Sequence, residues 1–279
     1  CLALFGENAY KNKMEIAAII LAAGKGTRLK SALPKPLHQV GGRPMLAWSI
    51  DAAKAAKASR IITVLPKESD KIQEWLDGHE FCIQKEPLGT GHAVLAAAPA
   101  LKTFTGVALI MFADTPLVTA NTLTRLVASV DDKTCLTILG FKADDPTGYG
   151  RIITNDQGEL ISIVEHDDAN AGERCLNLVN GGIMAVRCPQ LFSLLELIKA
   201  NNTNGEIYLT DIVNIAKKAG KKVLYQIAEE AEIGGVNDRF ELARIESSLQ
   251  AKLRNLVMQR GVTLVAPETV FLSADTVIG

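Results

Sequence analysis

The sequence predicts an α/β fold: a doubly wound, Rossmann-like mixed sheet that carries an antiparallel subregion and a long C-terminal helix. Three observations carry this. The first half of the chain alternates short apolar runs with helical segments, as parallel strands joined by crossover helices do. After Thr134 extended segments follow one another with turns between them, as antiparallel strands do. From Asp238 the apolar residues step by three and four, the period of a helix with one buried stripe.

Taken in order, EIAAIILAA from Glu15 is apolar without alternation and ends in glycine, so it reads as a strand buried on both faces. PMLAWSIDAAKAAKA from Pro44 is Ala-rich, with proline at a first helical position. RIITVL from Arg60 and EFCIQ from Glu80 are strands; HAVLAAAPAL from His92 is helical. VALIMFAD from Val107 is a fourth buried strand, and TANTLTRLVASV from Thr119 is a helix with a Thr/Asn cap. TCLTILGFKA, GRIITN, ELISIVEH and LNLVNGGIMAVR form the antiparallel subregion. Helices over 190–200 and 209–219 and a strand at KKVLYQIA follow. Leu242, Ile245, Leu249, Leu253 and Leu256 then make one apolar stripe that Gly261 ends.

The expected division is a loose extension over 1–13 before Met14 as natural start, a main domain over 14–236, a helical arm over 237–261 and short-strand material over 262–279. The opening CLALFGENAYKNK has neither a basic leader nor a long apolar core, so it does not read as a secretory signal. The stop on Gly279, inside a strand-rich pattern, predicts a fragment of a longer chain.

Composition narrows the classes. With 31 acidic and 30 basic residues the net charge is −1, so no basic field points to nucleic acid or a membrane surface. The longest apolar runs, 16–23 and 107–113, fall short of the roughly 18 residues that read as a membrane helix. Five cysteines without a CxxC pair read as reduced thiols, which places the chain in the cytoplasm.

The strongest chemical signal is Leu21-Ala22-Ala23-Gly24-Lys25-Gly26-Thr27-Arg28, followed by Pro34-Lys35-Pro36-Leu37. Glycines after a strand let backbone amides approach phosphate oxygens, and Arg28 and Lys35 add cations. A dinucleotide fingerprint would need a third glycine where Leu29 stands, and no Walker A loop is present. A tight turn alone remains the plain alternative. Gln84 with Gly89-Thr90-Gly91-His92 can pair with a base edge and admit a flat ring, while Thr90 also suits a helix cap. His92 reads as structural. Asp114 closes a buried strand at the edge where α/β sheets bind ligands, and is either a Mg²⁺ ligand or a turn cap. Gly148-Tyr149-Gly150-Arg151, Glu165-His166 and Asn180-Gly181-Gly182 suit a hydroxyl-rich ligand such as a sugar. Asn237 is either a helix cap or a neutral metal ligand.

AAGKGTR with PKPLH, then QKEPLGTGHA, FADTPL, DDPTGYGRI, IVEH, NGG, GEIYLTDIV and GVNDR run in the order of the bacterial bifunctional GlmU family, from about Glu15 to the chain end. The chain resembles the N-terminal uridyltransferase part of that family, its helical arm and the first rung of its left-handed β-helix; the acetyltransferase half is missing. The resemblance implies a nucleotidyltransferase, a UDP-N-acetylglucosamine diphosphorylase. It would make UDP-N-acetylglucosamine and pyrophosphate from UTP and N-acetylglucosamine 1-phosphate with Mg²⁺, for peptidoglycan and lipopolysaccharide precursors. It implies that Leu21, Ala22, Ala23, Gly24, Gln84, Gly89 and Thr90 hold the nucleotide. Lys35 would bind phosphate and Arg28 face the triphosphate, the two together being the catalytic cations. Asp114 and Asn237 would hold the metal, and Gly150, Glu165 and Asn180, with Asn237, the sugar. Many relatives have Tyr-Gly-Asp where this chain has Phe112-Ala113-Asp114, so a methyl stands close to the nucleotide. The family trimerises through its β-helix, so a homo-oligomer is expected of a complete chain. Another sugar-1-phosphate nucleotidyltransferase and a non-catalytic nucleotide-sugar-binding subunit are the alternatives; hydride transfer is disfavoured by Leu29.

Overall fold

The structure, a computed structural model, describes residues 14–199 and 202–279. The expected extension over 1–13 and the last residue of the helix expected over 190–200 lie outside them. The strands are β1 Ile16–Leu21, β2 Gln39–Val40, β3 Arg43–Pro44, β4 Arg60–Pro66, β5 Phe81–Gln84, β6 Val107–Phe112, β7 Thr134–Lys142, β8 Arg151–Thr154, β9 Leu160–Val164, β10 Leu178–Arg187 and β11 Lys222–Ile227. The helices are α1 Met45–Ala55, α2 Asp70–Trp75, α3 Thr90–Leu95, α4 Ala120–Ala128, α5 Ala171–Arg174, α6 Cys188–Leu195, α7 Asp211–Lys218, α8 Glu230–Ile233 and α9 Arg239–Gln259.

The main sheet has the order β11-β7-β10-β6-β1-β4-β5, and the β8–β9 hairpin hangs from β10. β1 pairs parallel with β4 and with β6, and β4 with β5. β10 runs antiparallel to both of its neighbours, β6 and β7. The antiparallel character therefore enters the central sheet instead of standing beside it, and β7 is antiparallel only toward β10, since it pairs parallel with β11.

β1 explains the sheet's position. Ile16, Ala18 and Ile20 pack with Leu46 and Ile50 of α1 and Leu123 and Leu126 of α4. Ala17, Ile19 and Leu21 pack on the other face with Val94 of α3, Leu191 of α6 and Ile212 of α7. Both faces of the strand are covered, which is why the run does not alternate. Thr119 caps α4 as its sequence suggests, accepting from the Thr122 amide. Pro44 stands one residue before α1, at its cap.

The helix after residue 237 runs over Arg239–Gln259. Ile245 and Leu249 are buried against Val40 and Met45, Leu242 and Leu253 are partly covered, and Leu256 is exposed, so the stripe loosens toward the C-terminal end. The strands expected over 262–279 are not formed: the described residues there hold a 3-10 turn, Pro267–Thr269, and bends. Val265, Phe271 and Val277 there are exposed, and no strand among the described residues pairs with the segment. Cys82, Cys135, Cys175 and Cys188 are free thiols. No helix among the described residues is long and apolar enough to cross a membrane.

Candidate active site

The C-terminal ends of β1, β4, β5 and β6 meet at one edge, on either side of the point where the strand order reverses. Chain segments leave that edge in both directions and open a crevice. Ala22 N–H donates to Val64 O (2.9 Å) and Ala113 N–H to Leu21 O (3.0 Å), which fixes both loops at the sheet edge. A cavity of about 450 Å³ opens there, lined by Leu21, Ala22, Ala23, Gly24, Lys25, Lys35, Gln84, Gly89, Thr90, Ala113, Asp114 and Glu206, among others. Every nucleotide-binding residue expected from the sequence is on its wall.

Gly26 adopts a left-handed φ of 61°, and a Cβ there would lie 2.7 Å from Lys35 Cβ. Glycine thus supplies both the turn and the space through which Lys35 passes. Gly24 has open space around its missing Cβ, as a backbone approached by a ligand requires. Arg28 lies in the 3-10 turn Thr27–Leu29, is exposed and lines neither cavity of the site. The turn is held by burial of Leu29 and by Arg239 Nε donating to Leu29 O (3.0 Å). Lys25 stands on the cavity wall instead. Its place in the glycine loop was the available signal for it.

Gln84 is buried, and its Nε2 donates to Gly89 O (3.1 Å) and lies 3.3 Å from His92 Nδ1. His92 is therefore structural: it helps to hold the Gln84 carboxamide. Gly89, not Thr90, takes the cap position of α3. The Thr90 hydroxyl accepts from the Leu209 amide (3.0 Å) instead. Around it Gly91 N–H donates to Ile207 O (2.7 Å) and Ile207 N–H to Leu88 O (2.8 Å). The segment 206–209 is thereby zipped onto the 88–91 turn, and this is what brings Glu206 to the cavity. Sequence reasoning missed Glu206, since nothing local ties it to residues more than a hundred positions earlier.

A second cavity of about 200 Å³ adjoins the first and shares Thr90, Phe112 and Asp114 with it. Its wall includes Gly148, Tyr149, Gly150, Glu165, Asn180, Gly182, Thr210 and Asn237. Glu165 accepts from the Thr210 hydroxyl (2.7 Å), and burial pushes its carboxyl above the usual range, with Asp211, Asp168 and Asp167 adding to the rise. Asn180 accepts from Gly182 N–H (3.1 Å) at the point where β10 is irregular. Ala113 is buried in the core, with its methyl among those of the α1 and α4 side, although the residue also reaches the larger cavity.

At the seam, Lys35 Nζ donates to the Asp114 carboxylate and to Asn237 Oδ1 (3.0 Å). These partners lie 79 and 202 positions from Lys35. The cap of α9 is Asp238, which accepts from the amides of Phe240 and Glu241, so Asn237 is free of that duty. Asp114 does not cap its turn either; Thr115 Oγ1 bonds Phe112 O. Asp114 and Asn237 thus present one carboxylate and one carboxamide oxygen to a common cation. Such a set fits Mg²⁺, which takes one or two carboxylates and completes its shell with water and phosphate oxygens. No cluster of three or more His, Cys, Asp or Glu among the described residues forms an all-protein cage.

A sheet-edge crevice with a glycine loop, a lysine and an oxygen pair defines a nucleotide-handling α/β domain, and the chain belongs to the MobA-like NTP transferase domain family, matched over residues 18–175. Its sequence is also similar to the bifunctional protein GlmU of Maricaulis maris, 45% identical over 264 residues, and of Rhodospirillum rubrum, 46% identical over 265. Each match covers 94% of this chain but only 58% and 59% of the relative, so the chain spans well under two thirds of their length. The fold is also that of a UDP-glucose pyrophosphorylase solved with UDP-glucose, with a TM-score of 0.70 at 18% identity, covering 86% of this chain and all of that one.

Proposed function

We propose that this chain transfers a uridylyl group from UTP to N-acetylglucosamine 1-phosphate, giving UDP-N-acetylglucosamine and pyrophosphate. The observation that carries the reading is the pair of adjoining cavities with Lys35, Asp114 and Asn237 at their seam. The resemblance of its motifs to the GlmU family supplies the choice of substrates.

The larger cavity takes the nucleotide. The Gln84 carboxamide meets the base edge, the 21–24 backbone lies along the ribose and phosphates, and Gly89 and Thr90 bound the ring. The smaller cavity takes the sugar, with Glu165 accepting from a hydroxyl and Asn180 and the Gly150 backbone on either side. A phosphate oxygen of the sugar phosphate attacks the α-phosphorus of UTP, the bond from that phosphorus to its bridging oxygen breaks, and pyrophosphate leaves. The nucleophile is already an anion, so the chain need not remove a proton. The difficulty is bringing two polyanions together, and Lys25, Lys35 and the loop amides offset that charge. Mg²⁺, held by Asp114 and Asn237, would neutralise further phosphate charge when bound. Arg28 would need to turn inward to take part. A UTP-using enzyme of this kind fits the cytoplasm, and the resemblance to a family that trimerises fits a homo-oligomer.

Pyrophosphate release with UTP and N-acetylglucosamine 1-phosphate, with and without Mg²⁺, tests the reading. Metal-dependent release is expected, and faster than with glucose 1-phosphate. Tight binding of UDP-N-acetylglucosamine without any release would identify a binding subunit instead.

A further inference from the structure

We infer that Arg151 is a positioning residue for the sugar half of the site, a clamp that fixes the 148–150 loop; this rests on the reading of the smaller cavity as the sugar pocket. The register places it. Arg151 pairs with Val164 on β9 and with Val179 on β10. The next row along the same three strands is Gly150, Glu165 and Asn180, and Asn180 N–H donates to Gly150 O (2.8 Å). Arg151 is thus the last ladder position before all three sugar-pocket residues.

Its side chain is only 1% exposed. Among the described residues no carboxylate forms an ion pair with it. The guanidinium donates to Tyr149 O and, at 3.1 Å, to Arg174 O, and Nε is without a partner. A buried cation whose direct partners are carbonyls is costly: the Asp145 carboxylate is near enough to favour the charge but forms no ion pair, and the Arg174 cation opposes it. An apolar side chain would fill the strand end at less cost. What an apolar side chain lacks is a rigid fork of donors able to hold two carbonyls at once. One of those carbonyls belongs to the loop that walls the sugar cavity. The other ends α5, which a reciprocal capping box between Asn170 and Glu173 holds in place. The charge therefore ties a ligand-facing loop to a braced turn behind it.

The test is steady-state kinetics of Arg151→Met and Arg151→Lys, with calorimetric binding of UDP and of UDP-N-acetylglucosamine. Arg151→Met should raise KM for N-acetylglucosamine 1-phosphate about tenfold, with KM for UTP and UDP affinity unchanged and kcat within about twofold. Arg151→Lys, whose ammonium lacks the fork, should recover part of the loss. KM values that rise together for both substrates, or no change in either, would overturn the clamp. If Arg151→Met does not fold, Arg151→Lys decides by the same selective rise. A wild-type chain without turnover overturns the functional reading alone. The clamp is then judged by the ratio of UDP-N-acetylglucosamine to UDP affinity, which Arg151→Met must lower; if wild type binds neither, the clamp falls as well.

Discussion

Lys35 holds a position that its sequence neighbours do not explain. Its ammonium sits between Asp114 and Asn237, the two oxygens that suit a divalent ion, so ammonium and metal compete for one place. In the absence of nucleotide, Lys35→Met should therefore bind Mn²⁺ more tightly than wild type, while its turnover falls by about 10²–10³-fold through loss of a phosphate cation. Paramagnetic resonance titration of free Mn²⁺ measures the first effect, and weaker binding by the variant would end the competition argument. Asp114→Ala removes the only carboxylate of the pair. Metal-dependent turnover should disappear while the thermal unfolding transition stays cooperative; near-normal turnover would remove Asp114 from the metal site.

Glu165 gives a pH signature. Burial raises its carboxyl pKa in the folded chain, so between the ordinary carboxylate range and that raised value the folded state keeps a proton that the unfolded state has lost. Stability contributed by the protonated form is then lost as pH rises through this window. In Glu165→Gln the loss is absent, so the wild-type minus variant difference in melting temperature should fall with rising pH and then level off. A flat difference across the acid range would contradict it.

At the scale of elements, the packing of α9 decides how the C-terminal tail is held. Gln250 on that helix is 2% exposed, and its carboxamide both accepts from Leu272 N–H (2.8 Å) and donates to Leu272 O (2.7 Å). Ala274 N–H donates to Gly41 O (2.8 Å), joining the tail to the β2–β3 turn. Gln250→Ala leaves the Leu272 groups without these partners, a cost of about 1–3 kcal/mol. The segment 262–279 should become sensitive to limited proteolysis while pyrophosphate release is retained, since the tail lines neither cavity. Unchanged protection would mean that the tail is held by other contacts. The apolar stripe of α9 was legible because five residues repeat at helical spacing. The clamp was not, because glutamine at that position reads as a solvated face.

Across the whole molecule, legibility follows the range of the interaction. The unbroken apolar run of β1 announces a strand covered on both faces, and the glycines of the loop after it announce a turn with open backbone, because both depend on neighbours within a few residues. α2 gives no such signal: its six residues carry only Ile72 and Trp75 as apolar anchors, too few to set a period. The insertion of β10 between β6 and β7 also has no local trace, since parallel and antiparallel partners ask for the same apolar residues. Arg28 reads as a phosphate cation from its place in the loop, yet the buried Leu29 beside it fixes a turn that leaves Arg28 in solvent. Lys25 takes the wall position for the same reason.

The sequence by itself determined the α/β class, the order of its longer strands and helices, and most of the residues it proposed that line the two cavities, because periodicity, caps and glycine turns are properties of short stretches. Only the tertiary structure decided what those residues do to one another. It placed Lys35 between Asp114 and Asn237, set Arg151 beneath the 148–150 loop on the wall of the smaller cavity, and carried Glu206 to the larger one. Each of these contacts joins side chains or carbonyls brought together by sheet register and loop packing, and a one-residue change in register would separate the row of Gly150, Glu165 and Asn180.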